Sequence, residues 1–166
     1  MRILLVMPCP YETGRLGLEN VVWLSEPVAL TAIAGAVSAD HEVRIMDMRL
    51  EPERALVEQL TSFKPHLVGT TSMTTDAYQA KAVLRTAKAI CRNIKTVIGG
   101  HHPTLSPHEF EEDFIDVVVQ GEGELTFREL VQKFADHDDT EPLDLSEVDG
   151  LRWLDQQPAR RSRRAL

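Results

Sequence analysis

Residues 96–110, TVIGGHHPTLSPHEF, place two glycines, Gly99 and Gly100, directly before two histidines, His101 and His102. Adjacent imidazoles suggest a metal site, whereas paired glycines suggest something large lying against the main chain, where a Cβ would block its approach. A second cluster lies upstream: Thr70, Thr71, Ser72, Thr74 and Thr75 put five hydroxyls within six positions around Met73. Helix capping and β-propensity account for two of the five but not for the cluster. A third group follows, Gly121-Glu122-Gly123-Glu124 with Thr126. The two cysteines, Cys9 and Cys91, lie far apart in different kinds of segment, so they build neither a disulfide framework nor a Cys-rich metal site.

The surrounding pattern says what must position these residues. Arg2 to Met7 is a short β-branched and leucine run ended by Pro8 and reads as a buried strand. A loop follows to Ser25, and Glu26-Pro27 opens a helix over VALTAIAGAVSAD. HEVRIMDM, HLVGTTSM, KTVIGG and IDVVVQG read as further strands; PERALVEQLTSF, AYQAKAVLRTAKAICR and ELTFRELVQKFAD read as helices. Thr75 or Asp76 is expected to cap the third helix, whose Ala77, Ala80, Leu84, Ala87 and Cys91 recur at helical spacing. Five alternations predict an α/β fold with a five-stranded, doubly wound parallel sheet, because parallel strands need crossovers and helices supply them. Ligands of such sheets collect at the carboxyl ends of the strands. The three unusual clusters and Pro8 to Tyr11 all fall at such ends.

Composition and motifs then exclude function classes. A formal net charge of -8 argues against nucleic-acid binding, and no apolar run approaches the ~20 residues that span a bilayer. A start too strand-like for a signal peptide reads as cytoplasmic. A receiver domain would need an acidic pair after the first strand and an aspartate after the third; PCPYE and TTSMTT lack them. PCPY is also too poor in backbone donors for a flavodoxin phosphate loop. The lone Gly-x-Gly, Gly121 to Gly123, follows the fifth strand rather than the first and lacks the third glycine of a dinucleotide site.

In order, MRILLVMP, EPVALTAIAGAV with HEVRIMD, HLVGTTSMTTDAY, TVIGGHHPT, and DVVVQGEGELTFRELV leading to VDGLRWLD resemble the cobalamin (vitamin B12)-binding domain. The resemblance covers Met1 to Leu154 and is closest to the form at the N-terminus of cobalamin-dependent radical S-adenosylmethionine enzymes, methyltransferases and cyclases. It implies a flavodoxin-like (Rossmann-like) three-layer sandwich over residues 1–140. Residues 141–166 would be a linker or C-terminal tail leading to a radical domain absent from this chain. The family's Ser-x-Leu followed by Gly-Gly maps onto Thr71-x-Met73 and then Gly99-Gly100. The nucleotide tail would lie beside the sheet, with Thr71 or Thr75 among Thr70 to Thr75 meeting the benzimidazole nitrogen and Gly99 and Gly100 under the tail. His101 would line the pocket. Gly121, Glu122, Gly123, Glu124 and Thr126 would form the far wall, and Pro10, Tyr11 and Glu26 the floor beneath the corrin.

Two departures qualify the resemblance. The methionine-synthase-like branch carries Asp-x-His-x-x-Gly after the first strand, but PCPYETGRLG has no histidine, so cobalt is expected without an imidazole from that loop. Asp40-His41 precedes the second strand, at the wrong end of the sheet, and Cys9 reads as a plain loop cysteine. The chain also has no Cys-x-x-x-Cys-x-x-Cys run, so an iron–sulfur cluster and S-adenosylmethionine would belong to the partner domain, and no catalytic residue is assigned here. Readings from other classes are a free-standing cobalamin carrier, a cofactor-free regulatory or interaction module, and an FMN flavoprotein.

Overall fold

The computed structural model describes residues 1–9, 26–137, 143–153 and, for the backbone, 160–161. Strand β1 (Arg2–Met7) is followed by α1 (Val28–Val37), β2 (Glu42–Asp47), α2 (Glu53–Phe63) and β3 (Leu67–Thr71). Then come α3 (Ala77–Ile90), β4 (Lys95–Gly99), α4 (His101–Leu105), β5 (Val117–Val119), α5 (Gly123–Asp136), β6 (Leu151–Trp153) and β7 (Arg160–Arg161). The sheet order is β2-β1-β3-β4-β5-β6-β7. The first five strands are parallel, as the alternation predicts, and β6 and β7 are antiparallel additions.

Each face of the sheet is buried by one pair of helices. Leu4, Val6, Val68, Ile98 and Val118 pack under α2 and α3, together with Phe110 and Phe114. Ile3, Leu5, Leu67, Val97, Val117 and Val119 pack under α1 and α5. Alternate strand residues serve opposite faces, so nearly every residue of β1 and β3 must be apolar, small or internally bonded. Thr70 meets this requirement by donating its hydroxyl to the Val6 carbonyl at 2.9 Å.

The stretch expected to be a linker contributes to the sheet. Leu145, Val148 and Leu151 are buried in the α1/α5 layer, and Leu151 pairs with Val119. Fully burying one such side chain contributes about 1.5–3 kcal/mol, enough to hold a three-residue strand that has no periodicity to announce it. On the opposite face Arg152 pairs with Glu111. The segment after β4, to which the sequence pattern assigns no element, is the short helix α4, whose Pro103 sits in the first turn, where a missing N–H is tolerated. Asp76 caps a 3₁₀ turn, Thr74–Asp76, by accepting the Met73 N–H at 2.8 Å. Burial raises its carboxyl above the ordinary aspartate range, against the pull of that hydrogen bond.

Candidate cofactor cleft

Strand register brings the sequence clusters together. Leu5 pairs with Gly69 and Gly69 with Val97, forming one row across β1, β3 and β4 on the α1/α5 face. One step further along the strands, Thr71 pairs directly with Gly99. Where Gly99 lacks a side chain the sheet surface is cut away, and at Gly69 the Leu5 side chain lies over the bare strand. The result is a cleft of about 170 Å³ at the carboxyl edge. Leu5, Gly69, Thr71, Val97, Gly99 and Val119 form its floor, Leu30 and Ile33 of α1 one wall, and Gly123, Glu124 and Phe127 of α5 the other.

The two adjacent glycines have different tasks. A Cβ on Gly99 would stand 3.5 Å from the Val119 Cβ, in ordinary contact and inside the cleft. A Cβ on Gly100 would instead stand 2.6 Å from the Thr71 hydroxyl oxygen and 2.8 Å from both the backbone N and O of Ser72. Gly100 also has φ 106° and ψ -172°, a region that essentially only glycine occupies. Gly100 is therefore required by the chain itself, which folds back over the end of β3, with Ser72 N–H donating to Gly99 O at 2.9 Å. Gly99 leaves room for a ligand, whereas Gly69 makes room for Leu5, whose Cδ2 stands 2.8 Å from where a Cβ on Gly69 would be.

Of the residues expected to bind cofactor, Thr70, Thr71, Gly99, Gly100, Gly121, Glu122, Gly123 and Glu124 line the cleft. Ser72, Met73, Thr75, His101, Thr126 and Glu26 stand outside it. Ser72 is fully buried and donates to the Met73 carbonyl, and Thr126 is buried and donates to Asp149 O at 3.0 Å. Met73, Thr75, His101 and Glu26 are exposed. Pro10 and Tyr11 lie outside the described residues. Gly69, Phe127 and the α1 residues carried no motif; only the absence of a side chain in the middle of an apolar strand could have marked Gly69.

The histidine question is settled by geometry for one of the pair. His102 is buried, with Nδ1 3.3 Å from Thr74 Oγ1 and Nε2 3.2 Å from Glu109 Oε2, and its ring lies edge-on to Phe110. Both nitrogens are engaged, so it works as a structural post between the β3–α3 loop and α4. His41 and His66 lie at the amino edge, His66 accepting the Arg2 N–H at 2.9 Å; burial lowers both below the usual imidazole range. Among the described residues, no group of three or more His, Cys, Asp or Glu side chains could hold a metal ion.

The cleft's polar equipment is sparse and uncharged at its base. Thr70 spends its hydroxyl on Val6 O, whereas the Thr71 hydroxyl has no assigned partner among the described residues. Glu122 and Glu124 are exposed at the mouth, and among the described residues no lysine or arginine joins them in the lining. An apolar cavity of ~150 Å³ accepts a benzene ring, so a cleft of this size, open to solvent, suits a flat aromatic group. Thr71 offers that group one hydrogen bond.

These features define an open-edged, doubly wound α/β domain with a largely apolar cleft on one face of its sheet at the carboxyl edge. A family model, the B12 binding domain, matches residues 14–131. The chain belongs to that family, and cobalamin is the cofactor that membership assigns to it. An uncharacterized methyltransferase, PH0819, of Pyrococcus horikoshii is 38% identical over 143 residues, spanning 79% of this chain and 29% of that protein. The anaerobic magnesium-protoporphyrin IX monomethyl ester cyclase of Rubrivivax gelatinosus is 41% identical over 137 residues, spanning 79% of this chain and 24% of the enzyme. The chain thus covers less than a third of either relative. Among solved structures, the cobalamin-dependent S-adenosylmethionine radical enzyme OxsB with aqua-cobalamin bound superposes with a TM-score of 0.76 at 18% identity, over 99% of this chain and 22% of that one. The isolated receiver domain of RcsB from Salmonella enterica serovar Typhimurium superposes at 0.55 with 13% identity, over 83% of this chain and 90% of that one. Both likenesses concern the fold. Among the described residues no helix is long and apolar enough to cross a membrane.

Proposed function

We propose that this chain holds cobalamin with its benzimidazole detached from cobalt and its nucleotide tail laid in the α1/α5 cleft. It does so as the cofactor-holding module of a larger radical S-adenosylmethionine methyltransferase or cyclase. The observation that carries the tail path is the Thr71–Gly99 ladder pair: an uncommitted hydroxyl beside bare backbone, at the base of an otherwise apolar cleft. A buried ring nitrogen left without a donor costs ~1–3 kcal/mol, and Thr71 Oγ supplies that donor. Gly99 gives the ring its depth. Glu122 and Glu124 face the mouth, where they suit amide or hydroxyl groups better than a phosphate. When bound, cobalamin supplies the methyl-carrying or radical-tuning chemistry of cobalt; the residues here bind and orient it.

The names of the relatives support the larger setting, since a methyltransferase and a cyclase both carry this domain within longer chains. A ring nitrogen held by Thr71 cannot also ligate cobalt, and His102 has no free nitrogen to take its place. The test is hydroxocobalamin bound to the purified chain, followed by electron paramagnetic resonance of its Co(II) form. The expected spectrum lacks nitrogen splitting on cobalt. A nitrogen triplet that becomes a doublet on nitrogen-15 labelling of the protein would show a histidine ligand, with exposed His101 the first suspect. A triplet that survives labelling would show the base still attached and overturn the tail path.

A further inference from the structure

We propose that Thr104 is a positioning residue that sets the shape of the cofactor cleft by joining the glycine-bearing ends of β4 and β5, at Gly100 and Gly121, through one hydroxyl. Thr104 lies in α4 and makes no contact with the cleft's interior surface. Its Oγ donates to the Gly100 carbonyl at 2.8 Å and accepts the Gly121 N–H at 3.0 Å. A hydroxyl has one hydrogen and two lone pairs, so a single oxygen can serve both partners. The Thr104 carbonyl adds a weaker tie, accepting from Gln120 Nε2 at 3.4 Å.

This link matters because the sheet does not supply one. The last ladder pair between β4 and β5 is Ile98 with Val118, and both strands continue past it toward the cleft. Gly100 and Gly121 have φ 106° and 79°, and neither has a side chain that could pack to hold the separation. From its far side the Gly121 turn is held by Gln120 N–H on Gly150 O at 2.8 Å and by Thr126 Oγ1 on Asp149 O at 3.0 Å. From the near side, among the described residues, it is held through Thr104. The spacing between the Gly99–Gly100 end of β4 and the Gly121 turn is therefore set mainly by the Thr104 hydroxyl, with the weaker Gln120 tie beside it.

The experiment compares the full chain with Thr104→Val, which keeps the branched shape, and Thr104→Ser, which keeps the hydroxyl. Without ligand, the Gly121 amide in Thr104→Val should exchange its hydrogen about tenfold faster, while Thr104→Ser stays near wild type. Equilibrium dialysis with hydroxocobalamin should show binding weakened about tenfold in Thr104→Val and restored to within about threefold in Thr104→Ser. The latch is overturned by unchanged Gly121 exchange in Thr104→Val, by wild-type affinity in that variant, or by an equal loss in Thr104→Ser. If Thr104→Val does not fold, Thr104→Ala takes its place with the same readings. The binding measurement rests on the cobalamin reading, whereas the exchange measurement does not. A wild-type chain that bound no hydroxocobalamin would remove that reading and leave Gly121 exchange to decide the latch.

Discussion

The contrast between Gly99 and Gly100 gives the sharpest test of the cleft. At Gly99 an added Cβ makes ordinary contacts, 3.5 Å to the Val119 Cβ and 3.6 Å to the Val119 O, so the apo fold should accept Gly99→Val. Replacing a strand glycine, which is destabilising by ~0.5–1 kcal/mol, should leave the melting temperature equal or slightly higher. The added isopropyl group, however, takes space from a cleft of about 170 Å³. Overpacking a well-filled site costs ~1–3 kcal/mol, and here that cost falls on the complex alone. Cobalamin affinity should therefore drop about 5- to 150-fold. Gly100→Ala should behave in the opposite way. Its Cβ would meet backbone atoms of Ser72 at 2.8 Å, in a conformation that itself costs ~1–3 kcal/mol for a residue other than glycine. A loss of about 3 kcal/mol lowers the melting temperature by roughly 6–12 °C in a chain of this size. Differential scanning fluorimetry of both apo variants, with equilibrium dialysis against hydroxocobalamin, separates the two effects. Wild-type affinity in a well-folded Gly99→Val would refute the placement of the tail over β4.

Three other outcomes follow from the same geometry. Thr71→Val should weaken cobalamin by about 5- to 150-fold, the equivalent of ~1–3 kcal/mol for an unmet buried acceptor, and Thr71→Ser should recover most of it; titration by absorbance checks both. Hydroxocobalamin at about 100 times its dissociation constant should add ~2.7 kcal/mol, or roughly 5–11 °C in melting temperature, whereas FMN should add nothing, since no cation in the described lining meets its phosphate. Burial raises the Asp76 carboxyl in the folded state, so the folded chain binds this proton more tightly than the unfolded one. That contribution is fully present below the unfolded aspartate pKa and is lost as pH rises through the folded value. Asp76→Asn removes the dependence, so its melting temperature should gain on wild type as pH is raised from 4 toward 8; a constant difference across that range would count against the raised carboxyl.

Much of this was legible in the sequence, for identifiable reasons. Apolar runs of β1, β3 and β4 broken by helical spacing leave little choice but a parallel sheet, and the carboxyl-edge rule then places Thr71 and Gly99 near each other. Their being ladder partners was not legible, because register depends on where each strand enters the sheet. Nor could the sequence divide the work of Gly99 and Gly100, since both are glycines and only the neighbouring atoms differ. β6 escaped because three residues cannot show alternation, and the acidic DHDDTEPLDLSEVDG hid Leu145 and Val148, which are buried. Thr104 escaped because HHPTL drew attention to its imidazoles, while its threonine carried the connection.

The same scaffold superposes on a receiver domain, so the sheet and its helices do not by themselves select a cofactor. On the proposed reading, selection lies in a few features of one face. Gly69 lies in the row through Leu5, Val97 and Val117, and Gly99 lies in the next row toward the carboxyl edge, paired with Thr71 and beside Val119. Gly69 gives way to Leu5, Gly99 leaves bare backbone where Thr71 still has a hydroxyl to offer, and Thr104 ties the strand ends together beyond the last ladder pair. A binding face made by removing side chains has little interior of its own to lose. Filling it at Gly99 should therefore leave the fold intact while weakening the ligand, which is why Gly99 is a better probe of function here than either histidine.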